Sequence, residues 1–279
     1  MSVIHDRSDV ARILDDPAWL VPEAVPGASP FRRLRGGASR FVNGPAHDER
    51  RARLESRLAE LDPASLGRAA AAATRELLAA DVDPAEAARQ VPVRVLAAAL
   101  DAPDPVSAPV DAAALAAPYA TGVVDPDADA VDRAAARRLG PDAAGHRRAS
   151  AVLDAQLLVQ AHAATGGLVV EVLRRAAGSP GVPTRQLIET VLRDAPPVRS
   201  TRRVAPAAGS ARATEPADAA DRLADRLVEL RLDGPDREAT GGAPPRALAF
   251  GAGPRRCPAS GHAIAIAAAV VDVLRESAC

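Results

Sequence analysis

Residues 249–259 read AFGAGPRRCPA. This stretch holds one of the two cysteines of a 279-residue chain, together with one of its three phenylalanines and a Gly-x-Gly turn. An alanine-rich, apolar helical run follows it. A thiol set among Gly and Arg at the entry to a helix lies in electropositive surroundings, where backbone N–H groups and the helix N-terminus both lower its pKa. Gly251 and Gly253 let the chain turn tightly enough to aim amides at the sulfur, and Phe250 can shield one side. That combination suits a nucleophile or a single-thiolate metal ligand. An inert cysteine in a glycine loop is the plain alternative. No second Cys or His stands at zinc-finger spacing, which argues against zinc.

The rest of the composition narrows the setting. All 35 basic residues are arginine, balanced by 36 acidic ones to a net charge of −1, so nothing points to a polyanionic partner or a membrane surface. Two distant cysteines make no disulfide framework, and a reducing compartment is expected. The N-terminal MSVIHDRSDVARILDD is charged and has no apolar centre, so it does not read as a signal peptide. No apolar run reads as long enough to span a bilayer, and the expectation is a cytoplasmic protein. The length suffices for one sizeable core, and residues 1–279 are read as a single domain.

Helical signals dominate. Asp62-Pro63 and Asp83-Pro84 each look like an N-cap followed by Pro at the first helical position. The Pro-rich stretches 102–109 and 118–126 should interrupt helices. From about Asp142 to Ala177 runs the longest helical pattern, altered in character only at AHAATGG. Pro183 opens a further helix that must stop before Pro196. VRSTRRVA is the best strand candidate, Ala205–Asp218 and Asp233–Pro245 read as loops, and SGHAIAIAAAVVDVLRE after Pro258 reads as a buried helix.

Phe250-Gly251-x-Gly253-x-Arg255-x-Cys257-x-Ala259 resembles the heme-binding loop of the cytochrome P450 family at every position of its pattern, the family being a general example of cysteine-thiolate heme ligation. NGPAHDERR resembles the segment in which a His and an Arg four residues on meet a heme propionate; His47 and Arg51 share a helical face at that spacing. ETVLRDAPPVRSTRRVA resembles the region from the E-x-x-R pair to a propionate-binding Arg. Arg193 matches the Arg of that pair and Arg203 the propionate ligand, with Arg202 close behind. The resemblance implies a mainly α, truncated P450-like fold with a little β. Heme b would be held by Cys257, with His47, Arg51, Arg203 and Arg255 around its propionates. The implied activity is a monooxygenase-type oxidation of a small organic molecule in specialised metabolism, with ferredoxin and its reductase as partners if O₂ is the oxidant.

Three departures matter. The Glu of E-x-x-R falls on Thr190, and Glu189 stands one residue early, a rotation of about 100° on a helix. The brace is therefore absent or rebuilt from Glu189. In the oxygen-activating segment, usually A-G-H-E-T-T, the acid falls on Ala163 and the alcohol on Ala164. That leaves Thr165 and His162 as the catalytic candidates, since Ala cannot relay a proton. The chain is also short for the family: a sheet and helix ahead of His47 are expected to be missing and the substrate-access elements thinned. These departures keep open a peroxide-driven oxidant, an isomerase or dehydratase, and a non-catalytic heme-binding protein.

Overall fold

A computed structural model describes residues 1–124, 127–140, 146–207, 226–240 and 242–277, with backbone alone for 146–148. The described chain groups into two compact units, one from Met1–Glu23 and Leu192–Cys257, the other from Ala24–Val191 and Pro258–Cys279.

The first unit holds strand β1 (Ser2–Ile4), helix α1 (Arg7–Asp15), and strands β2 (Ser200–Val204) and β3 (Leu227–Arg231). The sheet order is β1-β3-β2. β1 runs parallel to β3 with Ser2 opposite Val228, and β2 runs antiparallel with Arg203 opposite that same residue. β3 alternates as a half-buried strand should. Val228 and Leu230 turn into a core completed by Val10 and Leu14 of α1, while Leu227, Glu229 and Arg231 stay half-buried. Asp6 caps α1 by accepting the Ser8 and Asp9 amides. The expectation of a missing N-terminal sheet and helix is thus corrected: residues before His47 supply both a strand and helices. The three residues of β1 form a strand only by pairing with β3, more than two hundred residues further along the chain.

The second unit is helical. It contains α2 (Pro30–Gly37), α3 (Gly44–Ala59), α4 (Pro63–Ala79), α5 (Pro84–Ala99), α6 (Ala108–Thr121), α7 (Ala128–Leu139) and α8 (His146–Gln160). A π-helical turn, Ala161–Gly166, joins α8 to α9 (Gly167–Ala177) without a break; α10 (Thr184–Asp194) and α11 (Ser260–Ser277) follow. Asp62 and Asp83 accept the first free amides of α4 and α5, as their Asp-Pro signatures require. Helices α4, α5, α11 and the α8–α9 run pack as a four-helix bundle. Small residues set its spacing: a Cβ at Gly67 of α4 would come within 3.3 Å of the Ala265 carbonyl of α11. The alanine runs therefore serve close helix approach. Around the bundle, Leu54 and Leu58 of α3 pack with Val93, Leu96 and Leu157. Phe31, Leu34, Leu115, Tyr119 and Val152 form a second cluster.

The stretch 118–126 does separate helices, α6 ending at Gly122 with φ +80° and α7 starting at Ala128, although Pro118 itself lies inside α6. The continuous helical run Ala149–Ala177 is long and apolar enough to cross a bilayer by length and composition, contrary to the reading that no run is. More than half of its apolar window is buried within the protein, the pattern of a core helix.

Helices α6 and α7 are clamped by a buried charge. Asp111 is 1% exposed and meets two arginines of α7. Arg137 Nε donates to Oδ1 at 3.0 Å, and Arg138 Nε lies 2.7 Å from Oδ2, a close ionic contact without hydrogen-bond alignment. Arg138 also donates to the Pro103 carbonyl at 2.8 Å and to Ser107 Oγ at 3.1 Å. Removing the carboxylate leaves Arg138 buried without its counter-charge. We expect Asp111→Ala to lose about 3–5 kcal/mol in urea unfolding. Glu189→Ala, which breaks an exposed pair with Arg185, should lose no more than about 1 kcal/mol.

Candidate functional site

The cysteine loop is built within the first unit. The Gly251 amide donates to the Leu248 carbonyl at 2.8 Å, a single 3₁₀ turn covers Gly253–Arg255, and the Cys257 amide closes the loop onto the Phe250 carbonyl at 2.8 Å. Gly251 and Gly253 both have positive φ, +69° and +63°, where a side chain is strained. They differ in surroundings. A Cβ at Gly251 would meet ordinary contacts at 3.9 Å, whereas one at Gly253 would sit 2.5 Å from the Leu14 carbonyl and 2.7 Å from Asp15 Cα. The loop is thus pressed onto the end of α1. The Cys257 thiol is in no disulfide and is half-buried, as are Phe250 and Arg255.

Support comes from residues the motif did not reveal. Arg7 is 3% exposed; its Nε donates to the Gly234 carbonyl at 2.6 Å and its Nη1 to the Arg246 carbonyl at 2.8 Å, while its amide donates to Pro235. Burial pushes Arg7 below its ordinary pKa, and Asp194, Asp233 and Asp236 oppose that shift. Asp236 in turn accepts the Arg246 amide and Nε, both at 2.9 Å. These bonds fix the segment leading into the loop. The only signal in the sequence was an arginine at the start of a capped helix, which by itself reads as surface.

Of the remaining candidates in this unit, Arg203 is 6% exposed and donates to Thr201 Oγ1 at 3.3 Å and to the Arg202 carbonyl at 2.9 Å. Arg202 is exposed and lies opposite Glu229 in the sheet. The E-x-x-R brace is not rebuilt from Glu189. That side chain pairs with Arg185 at 3.1 Å, Thr190 Oγ1 donates to the Gln186 carbonyl at 2.8 Å, and Arg193 meets Asp194 at 2.8 Å.

In the second unit, α3 buries His47, whose Nδ1 lies 3.0 Å from Asp48, and holds Arg51 one turn on, with its Nε 2.6 Å from Glu55. Ala259 packs with the α3–α5–α8 cluster, and its carbonyl accepts the Ala263 amide. The altered character of AHAATGG is a change of helix type. Its six residues Ala161–Gly166 form the π turn, a geometry frequent at functional sites. Gly166 lets α5 come close, with a would-be Cβ only 3.4 Å from Arg89 Cα. Thr165 is 5% exposed. His162 is half-buried, and its Nδ1 has no hydrogen-bond partner among the described residues. Burial holds its imidazolium below the ordinary pKa; Glu86 opposes the shift and Arg89 adds to it.

No family model and no curated protein matches the chain by sequence. Solved structures do match by fold. CalO2 superposes with a TM-score of 0.76 at 17% identity, covering 98% of this chain and 82% of its own. CYP164A2 of Mycobacterium smegmatis gives 0.69 at 20% identity, over 99% and 83%. P450BioI, solved with an acyl carrier protein ligated to hexadec-9Z-enoic acid, gives 0.71 at 16% identity, over 97% and 83%.

The chain has the cytochrome P450 fold.

Within that fold the chain runs from α3, which carries His47 and Arg51, through the π turn to β2, which carries Arg203, and on to the Cys257 loop. At these identities the likeness is one of fold, and activity has to be argued from the residues.

Two measurements probe this geometry. Gly251→Ala should cost about 1–2 kcal/mol in chemical unfolding, the strain of a positive φ alone. Gly253→Ala should cost clearly more, because the α1 backbone must also move. The second measurement follows pH. His162 takes up a proton less readily in the fold than an unfolded histidine, which does so near 6.5, so the unfolded chain binds more protons as pH falls through that value. Stability should therefore fall as pH drops below 6.5, and His162→Leu should flatten that part of the pH–stability curve.

Proposed function

We propose that the chain is a heme-thiolate oxidoreductase acting on a small organic molecule, with Cys257 as the iron ligand. The observation that carries this reading is the cysteine loop: an unbridged thiol in a loop closed by its own amide onto Phe250 and turned by two positive-φ glycines. The donor set fits a heme. In the first unit Cys257 would supply one soft sulfur ligand and the buried Arg203 a cation suited to a carboxylate; in the second unit the buried His47 would serve a carboxylate likewise. Arg51 and Arg255 would complete the propionate set. When bound, heme with a thiolate ligand supplies oxidising chemistry in which electron donation from sulfur favours O–O cleavage.

The chain's own residues limit how that chemistry is run. The side chains of Ala163 and Ala164 carry no exchangeable proton, and burial disfavours the protonated form of His162. Thr165 is the hydroxyl left in the π turn. A monooxygenase built this way takes its protons from water, from Thr165 or from a polar group on the substrate. This favours a second reading, a heme-thiolate enzyme driven by peroxide or doing redox-neutral chemistry, which needs no acid–alcohol relay. Ferredoxin and its reductase are the proposed partners under the first reading and have no role under the second.

The purified protein, reconstituted with heme, reduced and exposed to carbon monoxide, should show the red-shifted Soret band of thiolate ligation. Cys257→Ala should abolish that band while leaving the far-ultraviolet circular dichroism unchanged. An unaltered band in the variant overturns the assignment. Turnover coupled to NADPH through ferredoxin, against turnover supported by peroxide alone, then separates the two readings.

A further inference from the structure

A cavity of about 510 Å³ lies within the helical unit, lined by α2, α3, the end of α7 and the start of α8. Its apolar lining, Val152, Leu153 and Leu139, is buried or half-buried, and its charged lining is mostly exposed. The space is therefore a pocket with an apolar floor and a polar rim. Five of its lining residues are charged: Arg32, Arg33, Arg50, Arg53 and Glu49. Arg53 and Glu49 neutralise each other at 2.6 Å. Among the described residues, the other three arginines form no salt bridge with a carboxylate.

Two of these cations, Arg50 and Arg33, are held by backbone carbonyls. Arg50 Nη1 donates to the Gly36 carbonyl at 2.7 Å and to the Ala38 carbonyl at 3.1 Å, and Arg33 Nη1 donates to the Ala28 carbonyl at 3.0 Å. The Arg32 stem lies across Gly27, where any Cβ would collide with Arg32 Cδ. Gly37 brings α2 close to α8, since a Cβ there would stand 2.9 Å from Val152 Cγ1. Carbonyl tethers orient a guanidinium without cancelling its charge. Three uncancelled cations around one concavity focus a positive potential, and each guanidinium keeps donors matched to an oxyanion. The volume suits a small organic ligand, and the floor rewards an apolar body.

We propose that this cavity binds an amphiphilic organic anion: a carboxylate or phosphate monoester head at the arginine rim, with an apolar chain or ring over Val152 and Leu153. The proposal does not rest on the heme assignment. It is tested on the full chain and again on Cys257→Ala, so that the failure of one leaves the other readable. Calorimetric titration uses decanoate, decyl phosphate, decanol and inorganic phosphate. We expect saturable binding of decanoate or decyl phosphate in both proteins, the tighter of the two identifying the head group. Binding should weaken by at least roughly tenfold when Arg32→Ala and Arg33→Ala are combined, because two exposed donors to an anion are lost without disturbing the core. Ala149→Trp, which fills the cavity from α8, should abolish it. The proposal is overturned if neither amphiphile binds, if decanol or inorganic phosphate binds as tightly, or if the arginine variant or Ala149→Trp binds undiminished.

Discussion

The carbonyl of Leu14 occupies the place where a Cβ on residue 253 would have to go. That exclusion fixes the cysteine loop against α1, and much of the first unit is arranged to keep it so. Asp6 caps the helix, Leu14 and Val10 bury its inner face against β3, and Arg7 ties its first turn to the carbonyls of Gly234 and Arg246. A thiol whose position is to matter chemically needs a rigid support, and here the support is backbone against backbone, which no rotamer change can relax.

The helical unit meets a different requirement. Its bundle relies on small residues for close approach, which leaves little side-chain bulk to define orientation. Polar groups supply it. Asp111 with Arg137 and Arg138 sets α6 on α7. Gln156, 2% exposed in α8, accepts the Ser39 amide at 2.8 Å and fixes the 3₁₀ turn (Ser39–Phe41) that precedes α3. Arg35 lies 4.1 Å over the Phe41 ring and donates to the Tyr119 carbonyl, joining aromatic packing to charge. Burial pushes the Tyr119 hydroxyl up to about 12, so it stays protonated as the acceptor for Gln160.

What the sequence revealed, and what it hid, follows from the range of each interaction. Helices capped by Asp-Pro announce themselves because the cap, the proline and the first turn are neighbours in the chain. The cysteine loop was legible for the same reason: its glycines, arginine and thiol lie within a few residues of one another. β1 and β3 were not, since β1 is defined only by pairing with β3, and β3 only by β1 and β2. Arg7 escaped notice because its burial depends on carbonyls contributed by residues 234 and 246. The AHAATGG segment could be marked as unusual, yet its residues alone do not distinguish a π turn from an α-helix. The replacement partners of the E-x-x-R pair likewise became visible only with α10 in place.

The pairing of Ser2 with Val228 has a consequence in time. A chain synthesised from its N-terminus must carry β1 and α1 unpartnered until β3 has been made, just as α4 must wait for α11, its main neighbour in the bundle. Loop closure over such a distance adds little to the equilibrium cost, because that cost grows only with the logarithm of loop length. It weighs instead on the rate, as contacts of high sequence separation form late. The thiol loop is therefore seated late, on a sheet whose strands lie far apart in the chain.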